Sequence, residues 1–417
     1  MFLRFKLLNM RRTTIAFIAT LILFYIIRRN NVHAQDGTMQ QIQEEVDSIQ
    51  ADHSQLSHLN KVIAHRSQKN DQVYENRKAE TFHESQPGNQ SIDAIKGRKD
   101  LTVHLAVVIC GDRMEEALTM LKSAAIFSFT NLHYHVLAED HLHTPIRERL
   151  KEMSKVNQNT ITYDVLPIQF PADNEDMWKK LFKPCACQRL FLPDILVKTD
   201  ALIYLDTDIL FMRPPEDLWQ FFDKLNSTQL AAVSPEGEDA PTGWYNKYAR
   251  HPYYGELGIN SGIMLMNLTR MRKANWNDIV LKLYQEYKSG IVFGDQDILN
   301  VVFHFHPEML YTFTCDWNYR PDHCRYGRND CKHADKNGIS LLHGNRQIFH
   351  KDDFPPFRMV YDVIHGYDFK VGVPKGIYDP LKKYLPMVRR SGYCNEMWQS
   401  MIAITKKYLR KYKQQSS

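Results

Sequence analysis

The chain has 417 residues, 43% hydrophobic and 24% charged, so most of it is expected to be globular and larger than one compact core usually needs. Its net charge of +5 is spread thinly over that length, with much of the basic excess at the two ends. That is too weak a field for nucleic-acid binding, and none is expected.

In chain order, residues 13–27 form an uncharged, mostly apolar run between Arg11-Arg12 and Arg28-Arg29. A spanning helix needs about 20 residues, a length reached if Leu7, Leu8 and Met10 join the run and the arginines snorkel. A cleaved signal peptide is the rival, with small residues around Val32-His33-Ala34. The reading taken is a cytosolic tail and transmembrane signal-anchor over residues 1–29, giving a single-pass type II membrane protein. Either reading sends the remainder into the lumen. Residues 30–100 are rich in Gln, Asn, Ser, His and charge, the composition of a stem that does not fold compactly. Within it Met39, Ile42, Val46, Ile49, His53, Leu56, Asn60 and Ile63 alternate at spacings of three and four. This pattern over 39–63 fits a short coiled coil and a homodimer through the stem, or equally a solvated stalk.

A lumenal setting agrees with N-glycosylation sequons at Asn89, Asn226 and Asn267, and with seven cysteines that an oxidising lumen would pair in part. A zinc site is the alternative for the cysteines, although paired C-x-x-C knuckles are missing from their spacing. An odd count leaves at least one thiol over, and Cys110, inside an apolar strand, is the candidate.

The folded domain starts near Leu101. Residues 101–110 read as a buried strand, Gly111-Asp112 as a turn, and 114–127 as a helix. Strands at 133–137 and 161–165 flank a helix at 146–153; a helix at 187–196 precedes a strand at 201–205. Such alternation predicts an α/β domain with a parallel sheet. Residues 369–417 read as a basic, helical C-terminal extension.

The strand Ala201-Leu202-Ile203-Tyr204-Leu205 runs into Asp206-Thr207-Asp208. In an extended segment, residues two apart face the same side. Both carboxylates then reach one cation at the carboxyl end of a parallel strand, where open α/β sheets bind ligands. Carboxylate oxygens suit Mn²⁺ or Mg²⁺, which would neutralise a leaving diphosphate. Phosphatases of the haloacid dehalogenase type share this pattern, but they need a later G-D-x-x-x-D. Here Gly294-Asp295-Gln296-Asp297-Ile298-Leu299 ends in Leu.

Four blocks in order resemble glycosyltransferase family 8, the glycogenin-like group: Leu205-Asp206-Thr207-Asp208, Ile259-Asn260-Ser261-Gly262, Gly294-Asp295-Gln296-Asp297 and Leu342-His343-Gly344-Asn345. Within that family the chain is most similar to the glucoside xylosyltransferases, through Gly243-Trp244-Tyr245-Asn246, Arg250-His251-Pro252-Tyr253-Tyr254 and Trp317-Asn318-Tyr319-Arg320.

The resemblance implies a GT-A-type domain over residues 101–368, with a mostly parallel sheet flanked by helices, in the Golgi or endoplasmic reticulum membrane. It implies retaining transfer of xylose from UDP-xylose, in α linkage, to O-glucose on epidermal-growth-factor-like (EGF-like) repeats, as on Notch-type receptors. Asp206, Asp208 and His343 would hold Mn²⁺. Arg189 would face sugar and phosphate. Asp295 and Gln296 would line the sugar pocket, and Asn260 would touch sugar or acceptor. Val108, Cys110, Gly111, Thr207 and Gly344 belong to the donor side, as does Arg346, standing in for the Lys of the family's G-x-x-K-P-W. Trp244, Tyr245, Tyr253 and Tyr254 would form the acceptor platform. An amide at Gln296 is a poor nucleophile, which favours front-face displacement over a covalent intermediate. Another UDP-sugar transferase (glucose or galactose) and a lectin-like pseudoenzyme are the alternatives.

Overall fold

The computed structural model describes residues 101–157, 160–180, 185–325, 327–388 and 393–415. The expected anchor (1–29), stem (30–100), coiled coil (39–63) and Asn89 sequon lie outside the described residues. Among those described, no helix is long and apolar enough to cross a membrane.

The sheet is built around β1 (Thr102–Ile109), whose sequence TVHLAVVI is buried along most of its length, as a strand covered on both faces must be. Parallel neighbours lie on either side of it, β2 (Asn131–Ala138) and β4 (Ala201–Leu205), and β3 (Ile161–Pro167) extends the sheet beyond β2, again in parallel. Past β4 the direction reverses. β7 (Ile259–Asn267) runs antiparallel between β4 and β6 (Ala231–Pro235), and β8 (Leu310–Thr312) closes that edge parallel to β6. The order is β3-β2-β1-β4-β7-β6-β8. The expected parallel sheet is therefore mostly parallel, with β7 reversed. A separate small sheet pairs β5 (Ile209–Phe211) antiparallel with β9 (Leu341–His343).

The helices that matter to the site are α1 (Met114–Phe127), α2 (His143–Val156), α3 (Pro215–Trp219), α4 (Trp244–Tyr248), α5 (Trp276–Tyr287), α6 (Asp295–Phe305), α7 (Pro355–His365), α8 (Asp379–Val388) and α9 (Trp398–Gln415). Alternate residues of β1 feed two cores. Val103, Leu105 and Val107 pack with α1, α2, α7, α8 and α9, while Ala106 and Val108 pack with α5, α6 and the segment before β4. That segment, expected as one helix over 187–196, is a 3-10 turn (Ala186–Phe191) followed by a short helix (Leu192–Ile195). Pro193 in its middle lacks the amide that would carry a continuous ladder.

Two expectations need correction. Cys110 is not the leftover thiol. It lies just past the end of β1, half-buried, and bonds to Cys185; Cys315 pairs with Cys331, and Cys324 with Cys394. Cys187 is the cysteine outside these bridges. It is buried, and burial pushes its thiol up, away from the reactive thiolate.

The described part of the expected extension over 369–417 is likewise no separate unit. Ile377, Leu381, Leu385, Met401 and Tyr408 are buried in the same core as β1. The Tyr408 ring stacks on Phe129 at 4.8 Å and meets Phe127 edge-on at 5.2 Å, and its hydroxyl donates to the Phe127 carbonyl. The lysines of the tail hide an i, i+4 apolar pair, Leu381 and Leu385, that marks a packed helix face.

Leu381→Ala should therefore cost about 2–5 kcal/mol through the cavity it leaves. Urea unfolding of a fragment covering residues 101–417 should show the midpoint fall; an unchanged midpoint would mean the tail is dispensable to the core.

Candidate active site

β4 ends at Leu205 and β5 begins at Ile209, so Asp206-Thr207-Asp208 is the turn that carries the chain from the large sheet to the small one. The extended geometry expected for the two aspartates is absent. Backbone bonds from both sides pin a tight turn instead: Asp206 N–H donates to the Gly262 carbonyl (2.8 Å), and Gly344 N–H donates to the Asp208 carbonyl (2.7 Å). The β5–β9 register sets His343 opposite Ile209. Its Nε2 lies 3.4 Å from Asp208 Oδ1 and 4.0 Å from Asp206 Oδ2. One ligand atom from each of the three residues falls within 4.8 Å of the others.

The tautomer of His343 follows from its other nitrogen. Nδ1 is 2.8 Å from Asn318 Oδ1, while the Asn318 Nδ2 donates to Ser234 Oγ (2.9 Å) and Asn260 Oδ1 (2.8 Å), which fixes the amide orientation. An amide oxygen only accepts, so Nδ1 carries a proton, and Nε2 is the nitrogen that faces the carboxylates and would give its lone pair to a metal in place of a proton. Burial works against ionising Asp208, but His343 outweighs it and holds the carboxyl below its ordinary range. Two carboxylates and one neutral imidazole fit a divalent ion of the Mn²⁺ or Mg²⁺ kind.

Arg189 does not face outward toward a sugar phosphate. It is 3% exposed. NH2 donates to Asp206 Oδ1 (2.8 Å), Nε approaches Asp295 Oδ2 (2.5 Å), NH1 donates to the Ser261 carbonyl, and the guanidinium covers the Tyr204 ring at 4.2 Å. It lies buried behind the Asp206-Thr207-Asp208 turn. Burial pushes the Asp295 carboxyl up, and Arg189 opposes that rise.

α6 starts after Gly294, whose φ of +61° suits glycine. Gln296, in its first turn, accepts from Ser261 N–H (3.2 Å), with its Nε2 3.3 Å from the Tyr245 hydroxyl and 3.5 Å from Glu236 Oε2. Glu236 also accepts from Asn260 Nδ2 (2.7 Å) and lies 3.5 Å from Arg320 NH1. Asn260 Oδ1 accepts from Gly262 N–H (3.1 Å) as well as from Asn318, so both ends of its amide are engaged within the protein.

Sequence reasoning gave no role to Glu236 or Asn318. Asn318 sits inside a recognised block, and Glu236 follows an apolar strand, but their partners are far away along the chain.

The aromatic segment divides. Tyr245 is 1% exposed and donates to Asp297 Oδ1 (3.0 Å), so it cannot offer its face to an acceptor. Its ring lies against Gly258, where a Cβ would come within 2.3 Å. Tyr253 packs on Tyr245 at 5.4 Å, and Tyr254 packs on the second core. Trp244 stays half-buried, edge-on to Phe293 (4.5 Å) and near Tyr248 (5.8 Å), both exposed. Asp297 accepts from the Val292 and Phe293 N–H groups (2.8 and 2.7 Å) and so fixes the Phe293 loop.

Of the residues expected on the donor side, Val108 is buried and Gly111 turns out of β1 at φ +59°, its N–H donating to Glu139 Oε2 (2.7 Å). Thr207 Oγ1 donates to Glu116 Oε1 (3.1 Å). Arg346 is exposed and paired with both oxygens of Asp322 (2.7 Å each). Of the two sequons in the described residues, Asn226 is exposed, whereas the half-buried Asn267 spends its side chain capping a helix by accepting from Arg270 N–H (2.9 Å).

The profile of Glycosyl transferase family 8 matches residues 104–346. Glucoside xylosyltransferase 1 of Mus musculus is 47% identical over an alignment covering 78% of this chain and 82% of that protein. Glucoside xylosyltransferase 2 of Xenopus laevis is 50% identical, over 69% of this chain and 70% of that one. Among solved structures, mouse xyloside xylosyltransferase 1 in apo form aligns with 59% of this chain and 99% of its own at 18% identity and a TM-score of 0.43.

A Cβ on Gly262 would meet His343 Cε1 at 2.3 Å and Nδ1 at 2.9 Å. Gly262→Ala should displace the imidazole and weaken activation by Mn²⁺ about 10–100-fold, with circular dichroism unchanged. Wild-type metal titration in this variant would remove His343 from the ligand set.

Proposed function

The chain belongs to glycosyl transferase family 8, and on that premise we propose that it moves xylose from UDP-xylose, in α linkage and with retention, onto O-linked glucose of EGF-like repeats such as those of Notch-type receptors. The observation that carries this reading is the joining of the Asp206-Asp208-His343 donor set to Gln296 through Arg189, Asp295 and Ser261, in a chain whose similar relatives are named glucoside xylosyltransferases. A bound Mn²⁺ would neutralise the leaving diphosphate.

The protein's own groups set the route. Retention by a covalent intermediate needs a carboxylate able to attack the anomeric carbon. The carboxylates around Gln296 already answer cations or donors: Asp295 answers Arg189, and Glu236 answers Arg320 and Asn260. Front-face displacement fits better. The acceptor hydroxyl forms the new C–O bond on the face where the diphosphate leaves, and its proton passes to the departing phosphate oxygen. The Gln296 amide oxygen stabilises the positive charge that develops on the sugar. On the acceptor side, Trp244 with Tyr248 and Phe293 offers an aromatic surface to the apolar face of a glucose ring. We place the enzyme in the endoplasmic reticulum or Golgi as a type II protein anchored by residues 1–29, a reading supported by the basic-flanked apolar run and the three disulfides.

Asp208→Asn should lower xylosyl transfer by at least about 100-fold while the melting temperature stays near wild type. A panel of UDP-sugars offered to the purified lumenal domain with glucosylated EGF-like repeats should give product with UDP-xylose above UDP-glucose and UDP-galactose. Preference for a hexose donor would overturn the xylose assignment, and retained activity of Asp208→Asn in chelator would overturn the metal.

Trp244→Ala should raise the KM for the glucosylated repeat about tenfold or more and leave donor hydrolysis near wild type, because only one substrate loses its platform. Equal loss of both would assign Trp244 to the core.

A further inference from the structure

The catalytic turn follows the carboxyl end of β4, and a second cluster of metal-binding side chains lies toward the opposite ends of the strands. In the parallel register of β1, β2 and β3, His104 stands beside His133, Thr162 beside His133, and Asp164 beside His135. Alternation places His133 and His135 on one face of β2. Three imidazoles and a carboxylate therefore share one face of three adjacent strands.

The distances are those of a ligand cage. One nitrogen from each of His104, His133 and His135 lies within 4.8 Å of the others. His104 Nδ1 is 3.0 Å from His135 Nε2, His133 Nε2 is 3.0 Å from Asp164 Oδ2, and His135 Nδ1 is 3.8 Å from the same oxygen. Ligands held tetrahedrally at about 2.0–2.1 Å from Zn²⁺ stand about 3.3 Å apart, a spacing bracketed by the two contacts to Asp164 Oδ2, from His133 Nε2 and His135 Nδ1; the His104 contact is to the other nitrogen of His135, Nε2. His135 is 3% exposed, and its Nδ1 has no hydrogen-bond partner, a buried polar atom whose cost a ligand would remove. His133 has its Nδ1 2.7 Å from Thr162 Oγ1, the outer contact that orients a metal-binding imidazole. Burial lowers both His104 and His135, the latter to about 3, so both rings keep their lone pairs. Asp164 is exposed, which leaves a way in from solvent.

We propose that His104, His133 and His135, with Asp164 at the rim, form a second metal site that takes a borderline divalent transition ion of the Zn²⁺ class. Imidazole-rich sets favour Zn²⁺, Co²⁺ and Cu²⁺, whereas the carboxylate-rich set at Asp206, Asp208 and His343 suits harder ions. The two sites sort metals by donor type, and the second clamps β1, β2 and β3 together, independently of the donor sugar.

The test uses the lumenal fragment without a polyhistidine tag, carrying D208N and H343Q so that the catalytic set is disabled, and stripped with chelator. Co²⁺ should bind at one ion per chain with the visible absorption of a tetrahedral site. Zn²⁺ should displace it and raise the melting temperature, as any ligand of the native state must. His133→Gln, at a partly exposed position, should weaken Co²⁺ binding about 10-fold or more, and H104Q/H133Q/H135Q should abolish it. Failure of the protein with all three histidines to bind Co²⁺ or Zn²⁺ overturns the proposal whether or not the variants fold. Binding that survives in the triple variant overturns it too, and tighter binding of Mn²⁺ than of Zn²⁺ overturns the assigned class.

Discussion

The guanidinium of Arg189 lies between two carboxylates, Asp206 at the end of β4 and Asp295 at the start of α6, with almost no contact with water. A buried charge of this kind is tolerated only with its partners in place. Removing one partner of such a set is worth about 3–5 kcal/mol, because the remaining charge is stranded. That constraint fixes the site. It sets the position of Asp206, and hence the turn that also carries Asp208. Through Asp295 it sets the first turn of α6, and hence Gln296. Through the Ser261 carbonyl it ties in β7, whose glycine lets the His343 ring come close. Asp206, Asp208 and Gln296 are thereby positioned by one buried side chain.

Around that arginine, polar groups are held in chains. Asn318 orients His343 and Asn260, Asn260 holds Glu236, and Glu236 reaches Gln296 and Arg320. Such a network, once satisfied, is rigid in a low-dielectric interior. The aromatic segment around Trp244 is built differently. Tyr245 anchors α4 through Asp297 while its neighbour Trp244 stays half-open beside Phe293, so adjacent residues of one helix serve core and surface.

Legibility followed the range of the interactions. The apolar strand ending in Asp206-Thr207-Asp208 and the helix over 114–127 are local patterns, and both were readable from sequence. His343 was readable only because its block resembles the family's, since no local signal separates one histidine of 18 from the rest. What escaped depends on contacts distant along the chain. Arg189 reads as a residue facing sugar and phosphate, and its burial between Asp206 and Asp295 is visible only in the fold. Cys110 reads as strand core until Cys185, 75 residues on, arrives at its end. Tyr245 looks like a sugar platform until Gly258 admits its ring into the interior. Even the aspartate pair was placed correctly by the wrong geometry, as a turn rather than a strand brings its carboxylates together.

The packing of α9 on the end of α1 has a bearing on how the protein is made. Tyr408 caps Phe127 across 281 residues of chain. At about 5–20 residues per second of synthesis, the first helix stands on the order of 14–56 s on the ribosome before its cover exists. Cys110 and Cys185 can meet early in that interval, whereas Cys324 must wait for Cys394, made 70 residues later. The nascent chain thus passes through a stage in which two of the three bridges, Cys110–Cys185 and Cys315–Cys331, can close while an apolar flank is still bare.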